Sequence, residues 1–161
     1  MLLEGFGAQL AARRITARQF ALLESFQARM EAAAHGSEPD RLSVIAIENS
    51  RFHKLIIEAS GNRRLLALLS SIIEMPLMLG TFKRYKEQDL LRSLAHHREM
   101  LAAFEVRDGD WARAVMECHV MAARHVLARS ARISSLADNG NRRSQSRGGQ
   151  PRPSPANQLR D

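Results

Sequence analysis

The chain has 161 residues, with 24 Lys and Arg against 17 Asp and Glu for a net charge of +7, and 45% of it is hydrophobic. That length suits one domain with a core large enough to stand without staples. The single cysteine, Cys118, excludes an intramolecular disulfide framework and a cysteine-based zinc ribbon.

The apolar runs Leu65–Leu69 and Ile72–Leu79 are interrupted by Ser70, Ser71, Glu74 and Pro76, and fall short of the ~20 residues of a membrane span. The N-terminus has Glu4 early and no basic region ahead of an apolar block, so it does not read as a signal peptide. A soluble cytoplasmic protein with no membrane partner is expected.

Helical spacing recurs along the chain, without sustained strand alternation. A first helix is predicted from about Leu2 to Arg14, with Leu3, Phe6 and Leu10 on its inward stripe. Thr16 and Gln19 form a capping box that opens a second helix carrying Leu23, Phe26, Met30 and Ala33 inward. Gly36 is the expected left-handed stop, and Pro39-Asp40 favours a new start. The third helix, about 39–59, places Leu42, Ile45, Asn49, Phe52 and Ile56 at spacings of three and four. Ser60-Gly61-Asn62 ends it. The fourth is the apolar segment Leu65–Leu79, with a kink or break expected at Pro76. After a polar linker at Lys83–Glu87, a fifth helix over about 88–106 aligns Leu90, Leu94, His97, Leu101 and Phe104. Asp108-Gly109-Asp110 is a turn with a ready N-cap for a sixth, about 111–130, with Ala112, Val115, His119, Ala122 and Val126 on one stripe.

These short connections imply an all-α, antiparallel bundle of about six helices over residues 1–132. From 133 onward a disordered basic tail is expected. Residues 138–161 hold five arginines against Asp138 and Asp161, with three glycines, three prolines and Leu159 as the one large aliphatic residue.

Three histidines interrupt apolar stripes. His97 and His119 take positions otherwise held by Leu, Val or Ala, and His53 lies one helical turn beyond Asn49, on the same face. Burying four polar side chains without partners costs several kcal/mol, roughly. A hydrogen-bonded core position is the competing account of each histidine alone. Imidazoles directed inward from three helices, with one amide, also fit a divalent metal, because neutral imidazole nitrogens are good ligands and helical bundles build such sites from facing side chains. The pattern does not distinguish Zn, Ni or Mn.

The same residues carry a family likeness. Asn49-Ser-Arg-Phe52-His53-Lys-Leu55, then Ser60-Gly61-Asn62-Arg63-Arg64-Leu65, resembles the "D/N-x-x-F-H-x-x-L … sGN-x-x-L" block of the FCD ligand-sensing domain. That domain belongs to the FadR subfamily of GntR-type bacterial transcription regulators. Ser93-Leu-Ala-His96-His97-Arg-Glu-Met100-Leu101-Ala-Ala103 resembles "S-x-x-E-H-x-x-I-L-x-A". Asp108, Ala112, Met116 and His119 fit "D-x-x-x-A-x-x-x-M-x-x-H". The opening Leu3-Glu4 … Ala11-Ala12 … Thr16 is similar to "L-E … A-A … T". The likeness covers about residues 2–130.

The resemblance implies an FCD-like, effector-sensing helical domain, non-enzymatic, in which Asn49, His53, His97 and His119 hold a divalent metal and a small organic acid binds against it. It also implies a homodimer. Candidate charge partners for the effector are Arg84 and Arg92, with Lys83, near the junction of the fourth and fifth helices. Asn49 stands where Asp is more usual, and His96 where Glu is common. The sequence opens at the sensor domain, lacking the family's N-terminal winged helix-turn-helix. The chain is therefore expected to meet operator DNA only through a domain it does not carry. Two other functions compete: a metal-dependent hydrolase or lyase built on the three histidines, and nucleic-acid binding through the basic tail.

Overall fold

The computed structural model describes residues 2–70 and 80–147. Every regular element among them is a helix: α1 (Leu2–Arg14), α2 (Ala17–His35), α3 (Arg41–Ala59), α4 (Arg63–Ser70), α5 (Glu87–Glu105) and α6 (Gly109–Arg147). Residues 80–82 add a further helical turn. The chain divides into two units, Met1–Leu127 and Ala128–Asp161. The first is a helical bundle of α1 to α5 and the α6 residues up to Leu127.

In the second unit α6 continues to Arg147, beyond the end expected near residue 130. Part of the stretch expected as disordered tail is therefore helical. Residues 133–147 include Ala, Leu, Arg and Ser and no proline, and Gly140 alone costs a helix only about 1 kcal/mol. Residues 148–161 and residues 71–79, with the break expected at Pro76, lie outside the described residues.

Side chains set most of the helix ends. Thr16 Oγ1 accepts the Gln19 N–H at 3.2 Å while Gln19 Oε1 accepts the Thr16 N–H at 3.0 Å, the capping box expected from the sequence. Asn62 Oδ1 accepts the Leu65 N–H at the start of α4, at 3.1 Å. Asp108 Oδ1 accepts the N–H groups of Asp110 and Trp111 at 3.0 and 2.9 Å, opening α6. Gly36 departs from expectation. Its φ of −76° and ψ of 160° are extended, and its N–H closes α2 on the Ala32 carbonyl. The chain needs no reversal there, because it runs extended toward Pro39. The left-handed glycine is Gly61, at φ +67°, between α3 and α4.

The core of the bundle is built from the predicted stripes of α2, α3, α5 and α6. Leu23, Met30, Ile45, Phe52, Ile56, Leu94, Phe104 and Ala112 are all buried within it, joined by Met100 and Met116 from off those stripes. The inward stripe of α1 is a correction. Leu3 and Phe6 are exposed, and the buried face is Gly5, Gly7, Ala8, Ala11 and Ala12. The reason is close approach. A Cβ on Gly5 would stand 2.7 Å from Glu117 Cγ, and one on Gly7 would stand 2.5 Å from Ile57 Cδ1. Small residues let α1 lie almost backbone-to-side-chain against its neighbours, so its larger side chains turn outward.

Two arginines anchor the C-terminal end of α1. Arg14 donates to the Ser60 carbonyl at 2.6 Å. Arg107, with a left-handed φ of 57° in the turn before α6, donates to the carbonyls of Arg13 and Ile15 at 3.3 and 3.2 Å.

Candidate metal centre

The apolar spacing of α3, α5 and α6 turns His53, His97 and His119 toward one another. One ring nitrogen from each lies within 4.8 Å of the other two, and all three residues are buried. The ring centroids are 5.4 Å apart for His53–His97, 4.9 Å for His53–His119 and 4.7 Å for His97–His119. Phe52 stacks on His97, with centroids 4.5 Å apart and planes 27° from parallel. Asn49, one turn before His53 on α3, is buried as well.

Burial sets the protonation state. It pushes the His53 imidazole below its ordinary range, against a smaller opposing influence from the Glu4 carboxylate. It pushes His97 and His119 further down, aided by the neighbouring imidazoles. All three are held neutral, the form that ligates metal.

The hydrogen-bond inventory tests whether a metal fits. His97 Nδ1 and Nε2, His53 Nε2 and His119 Nδ1 are buried and find no hydrogen-bond partner among the described residues. Buried nitrogens are normally satisfied, and a shared electron-pair acceptor would take one from each ring, three of these four, leaving the second nitrogen of His97 over. Imidazole donors bind divalent zinc at about 2.0–2.1 Å, which sets nitrogens on one ion about 3.3 Å apart, so three rings whose nitrogens lie within 4.8 Å of one another would draw together around it. The residues therefore fit the ion.

The flanks of the centre are polar in specific ways. Glu48, buried beside Asn49, is bound at 2.8 Å by both Arg29 of α2 and Arg51 of α3. Gln27 Nε2 donates to the Leu94 carbonyl at 3.1 Å, tying α2 to α5 less than a turn before His97.

Two neighbours of the centre were not singled out by stripe position. His96 stands edge-on to His119, with centroids 5.9 Å apart. Its Nδ1 is buried without a partner among the described residues. It lies off the inward stripe of α5, and its position directly before His97 was the available signal. Glu4, in the Leu3-Glu4 opening, is close enough for its charge to act on His53.

The two arginines expected to meet an effector are placed differently. Arg92 pairs with buried Asp89 at 3.0 Å, and its charge reaches His96. Arg84 is exposed and donates to the Gly80 carbonyl at 2.6 Å.

Comparison with known proteins gives three findings. The model of the FCD domain matches residues 1–122. Among solved structures, the GntR protein of Streptococcus agalactiae is 31% identical, with a TM-score of 0.62, over 77% of this chain and 54% of that one. The chain thus spans about half the length of that relative. No curated protein matches the sequence. Because the matched stretch, residues 1–122, takes in α1 to α5 and all three buried histidines, the chain belongs to the FCD domain family.

Proposed function

We propose that this protein is the effector-sensing domain of a GntR-type transcription regulator, that a divalent metal is held by His53, His97 and His119 with Asn49, and that the effector is a small organic acid. The observation that carries this reading is the set of buried imidazole nitrogens that face one another without hydrogen-bond partners among the described residues. FCD membership supports the regulatory role.

Each residue has a task in this scheme. The three imidazoles, kept neutral by burial, present lone pairs from three helices. Phe52 holds the plane of His97 and keeps water from that side. A bound divalent ion would supply an open coordination position for a carboxylate oxygen. The donor set of three imidazoles and an amide carries no negative charge, so the centre would favour an anionic ligand. Arg92 and Arg84 are proposed as charge partners of that anion. Arg92 has the better support, since its charge already acts on His96 beside the triad. Because α3, α5 and α6 each contribute a donor, ligand binding would bias their packing. A homodimer would pass that bias to operator DNA through a DNA-binding domain outside the residues described. The protein is proposed to work in the cytoplasm, and no helix among the described residues is long and apolar enough to cross a membrane.

A metalloenzyme is less well supported. Glu48, the buried carboxylate next to Asn49, is committed to two arginines, and Glu99 is exposed, so neither is poised as a general base.

Metal analysis of the purified protein, followed by calorimetry of the loaded form with a panel of small mono-, di- and hydroxy-carboxylates, tests the reading. The expected result is about one divalent ion per chain and saturable heat with at least one acid. Absence of metal uptake, or no heat with any acid, would refute it.

A further inference from the structure

A cavity of about 500 Å³, with His35 among its lining residues, lies apart from the three buried histidines. It lies where the C-terminal end of α2, the first turns of α3 and α5, and the 82–87 connection meet. Leu42 and Leu90 line it. Each is seven residues before a member of the metal centre, Asn49 on α3 and His97 on α5, so the cavity is about two helical turns, ~10 Å, from that centre.

Its walls combine two chemistries. Phe82 and Leu90, both buried, and Leu42, half-buried, give an apolar floor. Arg41, Lys83 and Lys86 give three positive charges against the single carboxylate of Glu87. Arg41 is not a loose surface charge, since its Nη1 donates to the Ala34 carbonyl at 3.2 Å, across the α2–α3 connection. Tyr85 is fixed edge-on against Phe82, with centroids 5.1 Å apart. Burial pushes its hydroxyl up to about 12, so it stays protonated and able to donate. The volume falls within the range of small-molecule sites, which are mostly apolar with a few placed polar groups.

The structure assigns to this cavity, we propose, a second binding site, independent of the metal, for an amphipathic anion: an apolar body seated on Phe82, Leu42 and Leu90, with a carboxylate or phosphate head met by Arg41, Lys83 and Lys86. A purely apolar ligand would leave the cations unmatched, and a bare inorganic anion would leave the floor wet. Both halves of the ligand are therefore required.

Calorimetry on the full chain tests this, with octanoate and octyl phosphate as probes and with acetate and octanol as the separated halves. The titrations are run on metal-loaded protein and on chelator-treated protein. Saturable binding of an octyl anion is expected in both preparations, at least tenfold tighter than either half. The two octyl probes decide which head group is preferred. The double variant Arg41→Gln/Lys86→Glu is expected to weaken binding at least tenfold while leaving metal uptake unchanged. Three results would overturn the proposal: no saturable binding of either octyl anion, undiminished binding in the double variant, or loss of binding on chelation alone. The last would move the ligand to the histidine centre. Metal uptake measured on the same samples reports separately on the metal centre, so failure at one site is not mistaken for failure at the other.

Discussion

Phe52 and His97, from α3 and α5, lie ring upon ring at 4.5 Å, and both are fully buried. The residue after Phe52 is His53, so one short stretch of α3 both supplies a nitrogen to the centre and orients the nitrogen that faces it. Such an apolar clamp does for His97 what a hydrogen bond does for many metal-binding histidines. Replacing Phe52 by Leu should cost about 1–1.5 kcal/mol of stability and, by loosening the His97 ring, weaken metal binding about tenfold. Urea unfolding of the apoprotein and competition against a chromophoric chelator measure the two effects separately. Unchanged metal affinity would show that the stack does not orient the ligand.

The donor set itself is tested by single exchanges. His53→Ala, His97→Ala and His119→Ala should each lower metal affinity at least 100-fold, because a site of three strong donors loses one outright. Asn49→Asp should act in the opposite direction, tightening binding about tenfold by adding a charged oxygen ligand. If Asn49→Asp leaves the affinity alone, residue 49 is not in the coordination shell.

Much of this was legible in the sequence because periodicity reports directly on burial. The stripes of α3, α5 and α6 selected His53, His97 and His119, and the structure brings the three together. The capping box at Thr16 and the stop at Gly61 were equally readable, since each depends on side chains a few residues apart. The face of α1 was not. Hydrophobicity favoured Leu3 and Phe6, but contact distance decided the matter, and the need for glycine at positions 5 and 7 exists only once Glu117 and Ile57 are opposite. The far end of α6 lies past the boundary expected near residue 130, since a polar, arginine-rich composition does not by itself forbid a helix. His96 stands off the stripe because one residue along a helix turns the side chain about 100° away from His97.

The small-residue face of α1 makes a counterintuitive forecast. Alanine is a better helix former than glycine by about 1 kcal/mol, yet Gly7→Ala should destabilise the protein by about 1 kcal/mol net. The added methyl meets Ile57 Cδ1 at 2.5 Å and Leu65 Cδ2 at 3.2 Å, and overpacking of this kind costs about 1–3 kcal/mol. A paired Gly7→Ala/Ile57→Val variant should recover part of the loss. Chemical denaturation of the unaltered protein and the two variants checks this, and a stabilised Gly7→Ala would contradict the close approach.

Stability of the metal-free protein should depend on pH in one direction. His53, His97 and His119 are held below the ordinary imidazole value of 6.5 by burial. The unfolded chain therefore binds more protons than the folded one once pH falls below about 6.5, and stability declines from there downward until the folded-state values are passed. These groups contribute no slope above about 7. Each can add up to roughly 1.4 kcal/mol per pH unit. Denaturation midpoints of the chelated protein between pH 5 and 8 give the slope, and the His97→Ala variant should show a shallower one.

The three histidines come from α3, α5 and α6, so no contiguous fragment of the chain shorter than residues 53–119 contains the set. A cation captured there closes two long loops at once, and it does so only after the last of the three helices has docked. Occupancy of the centre would accordingly register that assembly is complete. A nascent or nicked chain would remain unloaded, and loss of the ion would be an early sign that the helices have begun to part.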